Sequence, residues 1–512
     1  MRKPIYLLFV FLLLAVPVTA QAYLLGHFYL PADTDALLHE TSNRRFGLQI
    51  VAGDFDGDGR RDVAASSPVG DGMVYVTLGA ITQGADIDVA AADFVFTGAS
   101  GSEAGWSLAA GDVIGDSTDD LVIGAPSASG GRGRIYVFEG PLTAGMALSP
   151  QNATATYTGN NPNSYASWSL AIGDFDGDGK GELAVGACGV NPQNGTGAVY
   201  LVHEVQAGAQ SLTAASVSYF RGRGRTGCSL AATNFDGDGF EDLIIGSHGS
   251  PQYAAASFAG DVHIVYGRSS WLATYNLSDT PKSLDATVLH GVWRGGNFGY
   301  ALATEDVNED GFGDLLIGEP EVECPGCTVV ARNGGSAFVV LGGPSSGTTP
   351  ADRPLVGAVA AEDVAYLVLH GEDSLDRAGI SVAGAGDAVS THFGRELLVG
   401  SAVGKTYLHG WSFGMALPPP EYRSTWQGDE IVYDGPYFGP GDTSPTQLDV
   451  SLKKAWMAFE DTRPDTFAGR TVAGVGDIDG DGHDDIAIGA PHQLQFDTAN
   501  KGPGEVHLVF GE

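Results

Sequence analysis

The sequence predicts an all-β fold of repeated four-stranded antiparallel units, a β-propeller, and three observations carry that prediction. An oxygen-rich nine-residue run recurs seven times along the 512 residues, with first positions at 54, 112, 174, 234, 306, 387 and 477. Each run sits among short apolar stretches of strand length, four to a unit of roughly 60 residues. Glycine is abundant (75 residues) without a collagen period, which suits many tight turns between short strands. One such sheet cannot bury both of its faces alone, so the units must stack round a ring. Length alone would suggest about three domains, but the repeat array overrides that expectation.

The first run, Asp54-Phe55-Asp56-Gly57-Asp58-Gly59-Arg60-Arg61-Asp62, places oxygen side chains at positions 1, 3, 5 and 9, with glycines where the chain must turn sharply. Alternate carboxylates converge on one hard cation only if the backbone folds round it, and glycine permits the positive φ angles this requires. The run starts like an EF-hand loop but lacks a Glu at position 12 and flanking helices. Strand-like segments, Leu48 to Val51 and Val63 to Ser66, stand on either side instead. It is therefore read as a calcium loop between two strands. The ligands would be Asp54, Asp56, Asp58 and Asp62, with Arg60 contributing its carbonyl.

Four further copies are complete. The third repeat offers Asp174, Asp176, Asp178 and Glu182, with the carbonyl of Lys180. The fourth offers Asn234, Asp236, Asp238 and Asp242, with Phe240, and the fifth Asp306, Asn308, Asp310 and Asp314, with Phe312. The seventh offers Asp477, Asp479, Asp481 and Asp485, with His483. About five structural Ca2+ ions are expected. In the second repeat Asp112, Asp116 and Asp120 survive around Ile114, where a ligand should stand, and in the sixth Asp387 stands almost alone; both are read as metal-free relics.

The formal net charge is −36, yet 26 of the 62 acidic residues lie in the seven runs, so much of the charge is ligand rather than surface. A strongly acidic chain is a poor partner for phosphate backbones, which argues against nucleic acid. Met1-Arg2-Lys3, the apolar run Ile5 to Val16 and the small residues Val18-Thr19-Ala20 read as a signal peptide over 1–20, too short for a membrane anchor. No other long apolar run exists, so an exported chain without a membrane span is expected, secreted, periplasmic or at the cell surface. Residues 21–35 read as linker and 36–512 as one repeat domain. Of the four cysteines, Cys324-Pro325-Gly326-Cys327 has no second pair to complete a zinc site and no βαβ context for a redox motif, so a local disulfide is expected.

Within the second repeat, strands are expected at Phe94 to Gly98, Trp106 to Ala110, Leu121 to Pro126 and Arg134 to Phe138. In the third, Thr156 to Gly159, Trp168 to Ile172, Leu183 to Ala187 and Ala198 to Val202 repeat the pattern. A Pro- and aromatic-rich insertion, about 414–453, interrupts the sixth repeat and reads equally as a recognition element, a lid or outer packing.

At this point the sequence resembles the FG-GAP repeats of integrin α-subunit propellers. The first half of that signature appears as Phe46-Gly47 and Phe298-Gly299, loosened to Ala104-Gly105, Ala378-Gly379 and Ala468-Gly469. The second half appears as Gly124-Ala125-Pro126 and Gly489-Ala490-Pro491, loosened to Gly186-Ala187-Cys188, Gly246-Ser247-His248 and Gly318-Glu319-Pro320. The resemblance implies a seven-bladed β-propeller of four-stranded antiparallel blades, closed by pairing Ala36 to His39 with Val506 to Phe510. It also implies that all cation loops lie on one face and brings Cys188 near Cys228, where an inter-blade disulfide is expected. The opposite face would carry Arg44, Arg45, Arg132, Arg134, Arg221, Arg223, Arg225, Trp293, Arg294, Arg332, Arg377 and Arg463. These are either solvated loop arginines or a basic face that receives a protein or an acidic glycan.

Gly222 to Gly227 matches GxGxxG by letters but leads into a strand, so a dinucleotide site is rejected, and no HExxH or Walker pattern occurs. The expected function is an exported calcium-binding module for cell adhesion or ligand binding, not an enzyme. The alternatives are a propeller-type enzyme or module acting on polysaccharide or phospholipid, and a structural piece of a surface assembly.

Overall fold

Apolar, β-branched runs such as Leu121-Val122-Ile123 form the middle strands, and Asp120–Ala125 is buried along its whole length. The computed structural model describes residues 26–30, 34–40, 45–409, 448–451, 457–461, 467–491 and 504–511. Excepted are 80, 190–196, 215–216, 223, 250–258, 278–285, 294, 323–333, 345–354, 356, 372–374, 389–394 and 403–404. These residues build seven sheets that form the blades of a propeller. Blade I comprises Ile50–Gly53, Asp62–Ser67, Met73–Thr77 and Phe94–Thr97 in antiparallel order. Blades II to VII begin at the inner strands Ser107–Gly111, Ala166–Gly173, Arg225–Thr233, Leu302–Glu305, Ser381–Gly386 and Thr471–Gly476.

The ring closes where expected. Ala36–His39 pairs antiparallel with Glu505–Val509, Ala36 facing Leu508 and His39 facing Glu505, so the N-terminal strand completes blade VII. The first-half landmark has a steric reason. Its glycine stands at positive φ (84° at Gly47), and a Cβ there would lie 2.6 Å from the Glu505 carbonyl oxygen, where backbone passes backbone. Two residues on, a hydroxyl stitches neighbouring blades: Ser169 Oγ donates to the Gly227 carbonyl at 2.9 Å and Ser381 Oγ to that of Gly469 at 2.8 Å.

Four antiparallel strands are present in every blade, but six blades have a fifth. It runs parallel to the fourth and is lent by the next repeat in the ring. Thr274–Asn276, which precedes the fourth strand of blade IV, pairs with Val217–Arg221 of blade III. Gly26–Leu30, inside the stretch expected as linker, is the fifth strand of blade VI, parallel to Met457–Asp461. Leu448–Ser451 serves blade V in the same way; the rest of the 414–453 insertion lies outside the described residues. Blade I alone has four described strands.

The apolar core lies between blades. Val122, Ile135, Val137 and Tyr157 of blade II pack with Leu183, Val185 and Tyr200 of blade III, each such side chain stabilising the ring by roughly 1.5–3 kcal/mol. The inner strands surround an axial cavity of about 380 Å3 lined by Ile50, Ala52, Ala110, Ala303, Ala383, Val472 and Glu305. Glu305 pairs with Arg395 at 3.2 Å.

Candidate metal centres

Each acidic run joins the first strand of its blade to the second, and its own carboxylates build the turn. Asp54 Oδ1 accepts the N–H of Gly57 (2.8 Å) and Asp58 (3.0 Å), and Oδ2 that of Gly59 (2.9 Å). Asp56 accepts from Asp58 at 3.1 Å and Asp58 from Arg60 at 2.8 Å. Asp62, fully buried, does a different job. Its Oδ2 accepts the Phe55 N–H (2.9 Å) and its Oδ1 the Gly79 N–H beyond the third strand (2.7 Å), tying the loop to the blade. Asp120, Asp242, Asp314 and Asp485 repeat this double latch through Gly140, Gly267, Gly342 and Gly511.

Several expected ligands converge. One oxygen from each of Asp174, Asp176, Asp178 and Glu182 lies within 4.8 Å of the others, as do oxygens of Asp54, Asp56 and Asp58, and of Asp477, Asp479 and Asp485. Asp62 and Asp481 stand outside those clusters. In blades IV and V the expected sets are not brought together in this way. Among the described residues neither Asp236, Asp238 and Asp242 nor Asp306, Asp310 and Asp314 form such a cluster, and Asn308 Nδ2 donates to Asp310 Oδ2 at 3.0 Å, while Asn234 keeps its amide in the blade IV loop. Two of these oxygens, Glu182 Oε1 and Asn234 Oδ1, are buried without a hydrogen-bond partner. A buried acceptor left so costs about 1–3 kcal/mol. An all-oxygen donor set with such orphans fits a hard divalent cation. Burial pushes the ninth-position carboxyls up, to about 6 at Asp62, Asp120 and Asp485, about 7 at Asp314 and about 8 at Glu182, where Asp176 adds repulsion.

The incomplete loop of blade II keeps the same turn. Asp112 accepts from Gly115, Asp116 and Ser117, and Asp120 from Val113 and Ile114. In blade VI the ninth-position role passes to Glu396, which accepts the Ala388 N–H at 2.9 Å and is fully buried. Sequence reading missed it because that loop is one residue longer. Neighbouring blades also touch each loop. The residue before each latch reaches the preceding blade, as when Asp119 Oδ2 accepts the Asp54 N–H at 2.9 Å. The seventh-position side chain lies over the preceding loop: Phe240 over Gly177, Phe312 over Gly237 and Lys180 over Gly115.

On the opposite face, Arg132 donates to the Asn160 carbonyl, Arg377 pairs with Glu321 at 3.2 Å and Arg225 lies 3.5 Å from His248. Those three are engaged by the fold itself. Burial and Arg470 lower the Arg45 guanidinium. Arg44, Arg223, Arg294, Arg332 and Arg463 lie outside the described residues. Beside them stands a trio the sequence did not single out: Trp106 and Trp168, ring centres 4.6 Å apart, with Tyr165 6.2 Å from Trp168. Cys188 and Cys228 form a disulfide between blades III and IV; Cys324 and Cys327 are not among the described residues.

A model of the FG-GAP repeat matches residues 46–77, 104–138, 166–202, 227–265, 298–326 and 468–509, which are blades I to V and VII. The unmatched blade VI is the one whose loop keeps only Asp387 and the shifted Glu396. Integrin alpha-PS2 of Drosophila melanogaster is 33% identical over 268 residues, covering 48% of this chain and 18% of that protein. Integrin alpha-V of Gallus gallus is 27% identical over 224 residues, covering 42% and 20%. Phosphatidylinositol-glycan-specific phospholipase D of Homo sapiens is 26% identical over 418 residues, covering 70% of this chain and 46% of that protein. The chain thus spans about a fifth of the integrins and under half of the phospholipase.

Proposed function

Because this chain is an FG-GAP repeat protein with the propeller architecture such repeats build, we propose that it is an exported, calcium-stabilised adhesion or ligand-binding module. The observation that carries the calcium part is the convergence of four carboxylates at Asp174, Asp176, Asp178 and Glu182, one with an unpartnered buried oxygen. Bound calcium would neutralise the mutual repulsion of each loop. At free calcium about tenfold above the dissociation constant, each site would stabilise the fold by roughly 1.4 kcal/mol. Five would give about 7 kcal/mol, comparable with the whole stability of a domain.

The similarity to integrin alpha chains supports a binding role, with the arginine-bearing face opposite the loops receiving a protein or an acidic glycan. Export rests on the signal-peptide pattern of residues 1–20; among the described residues no helix is long and apolar enough to cross a membrane. A second reading, an enzyme or enzyme module acting on phospholipid or polysaccharide, draws support from the phospholipase relative, which aligns with 70% of the chain. Melting the mature protein in calcium and in chelator, with metal analysis, tests the first part. A clear rise with about five ions supports it, and an unmoved melt with no metal sinks it. Glycan-array binding without turnover supports the module, whereas product release from a phospholipid or polysaccharide panel would replace it with the enzyme.

A further inference from the structure

We infer that the calcium sites are not equivalent: the loops of blades I and III bind tightest and that of blade VII weakest, in an order set by the neighbouring blade. The inference rests on the calcium reading above and concerns side chains outside the ligand sets.

Each loop's first position, or the residue just before or after it, meets the eighth-position residue of the next blade, and that residue differs in charge round the ring. At blade I it is Asp119, whose Oδ2 accepts the Asp54 N–H at 2.9 Å. At blade III it is Glu241, whose Oε2 accepts the Asp174 N–H at 2.8 Å while its own N–H donates to the Asp174 carbonyl at 3.0 Å. Both loops thus carry a carboxylate from outside, hydrogen-bonded to the backbone of the first ligand. At blade IV the counterpart is Gly313, which offers only its N–H to the Asn234 carbonyl at 3.1 Å. At blade V, Glu305 Oε1 accepts the Asp306 N–H at 3.2 Å, but Arg395 lies on the same oxygen at 3.2 Å and neutralises it.

Blade VII meets the opposite sign. Its counterpart is Arg61, whose Nη1 donates to the Ala52 carbonyl at 3.1 Å and whose Nε lies 3.0 Å from where a Cβ on Gly476 would stand. Arg60 adds a second guanidinium, its Nη1 3.7 Å from the corresponding point at Gly480. A carboxylate beyond the ligands strengthens a site for a dication and a guanidinium weakens it, and such outer partners typically change metal affinity about tenfold or more.

Calorimetric titration of the full mature chain with calcium alone tests this. Two tight ions are expected, one removed by Asp56→Ala and the other by Asp176→Ala, whereas Asp479→Ala removes a weak one. Asp119→Asn and Glu241→Gln, which keep a hydrogen-bond acceptor, should each weaken one tight ion about tenfold at unchanged stoichiometry. Arg61→Met should tighten the weakest ion, and serves as the second arm should either amide variant fail to fold. The order is overturned if Asp479→Ala removes a tight ion, or if all three charge variants leave every affinity within about twofold. Absence of any calcium binding would instead overturn the calcium reading itself.

Discussion

The loops of blades II and III share one backbone and differ in a few side chains. In both, the first aspartate gathers the N–H groups of the turn, and the ninth-position acid, Asp120 or Glu182, accepts the N–H groups of the second and third residues. Only blade III has Asp176 where blade II has Ile114, and only blade III has a phenyl ring over the turn where blade II has the Lys180 stem. The comparison separates two jobs: shaping a turn, which blade II does without a third-position oxygen, and the proposed binding of a cation, which would need that oxygen as well.

The strongest way to break that separation is to remove the latch. Asp120→Ala leaves the N–H groups of Val113, Ile114 and Gly140 without an acceptor, and should cost about 3–9 kcal/mol at 1–3 kcal/mol for each of the three. Urea melts should show the same loss in calcium and in chelator; a loss confined to calcium would mean that blade II holds an ion after all. A smaller effect follows from turning blade III into blade II. Asp176→Ile should abolish one bound ion and the associated ~1.4 kcal/mol of calcium-dependent stabilisation at tenfold saturation, while leaving the chelated protein no less stable.

The reverse graft sharpens the point. Ile114→Asp alone should not add an ion to blade II, whereas Ile114→Asp with Lys180→Phe should add one, read by metal analysis of dialysed protein. The mildest prediction concerns pH. Glu182 is raised from 4.5 to about 8 in the metal-free fold, so the folded state holds its proton more tightly than the unfolded chain does. Its ionisation therefore penalises the fold progressively as pH rises from about 4.5 to 8. Chelated protein should melt lower at pH 8 than at pH 5, and Glu182→Gln should flatten that slope.

What the sequence made legible is what local spacing dictates. Carboxylates two apart with glycines between can do little but turn, so the five complete loops could be read directly. The closure of the ring came instead from the resemblance to FG-GAP propellers, which made Ala36 to His39 the missing fourth strand of the last blade. The roles that escaped depend on a neighbour. Asp119 and Glu241 look like spare acids until the next blade is beside them. The fifth strands, such as Gly208–Ser211 and Thr274–Asn276, are only four and three residues long, too short for a period of their own, and lie along a parallel edge that the neighbouring blade supplies. Glu396 was hidden by a one-residue change of register.

The closing pair has a consequence for how the molecule is made. Thr34 and His507, joined at 3.1 Å beside that pair, are 473 residues apart. At about 5–20 residues per second the ribosome needs roughly 25–95 s to deliver the second after the first. Throughout that interval Leu37 and Leu38 belong to a strand whose partner does not yet exist, an apolar open edge of the kind that pairs with strangers. The last blade is thus begun first and finished last, and whatever shields the nascent N-terminus until residue 509 emerges governs how much correctly closed protein is obtained.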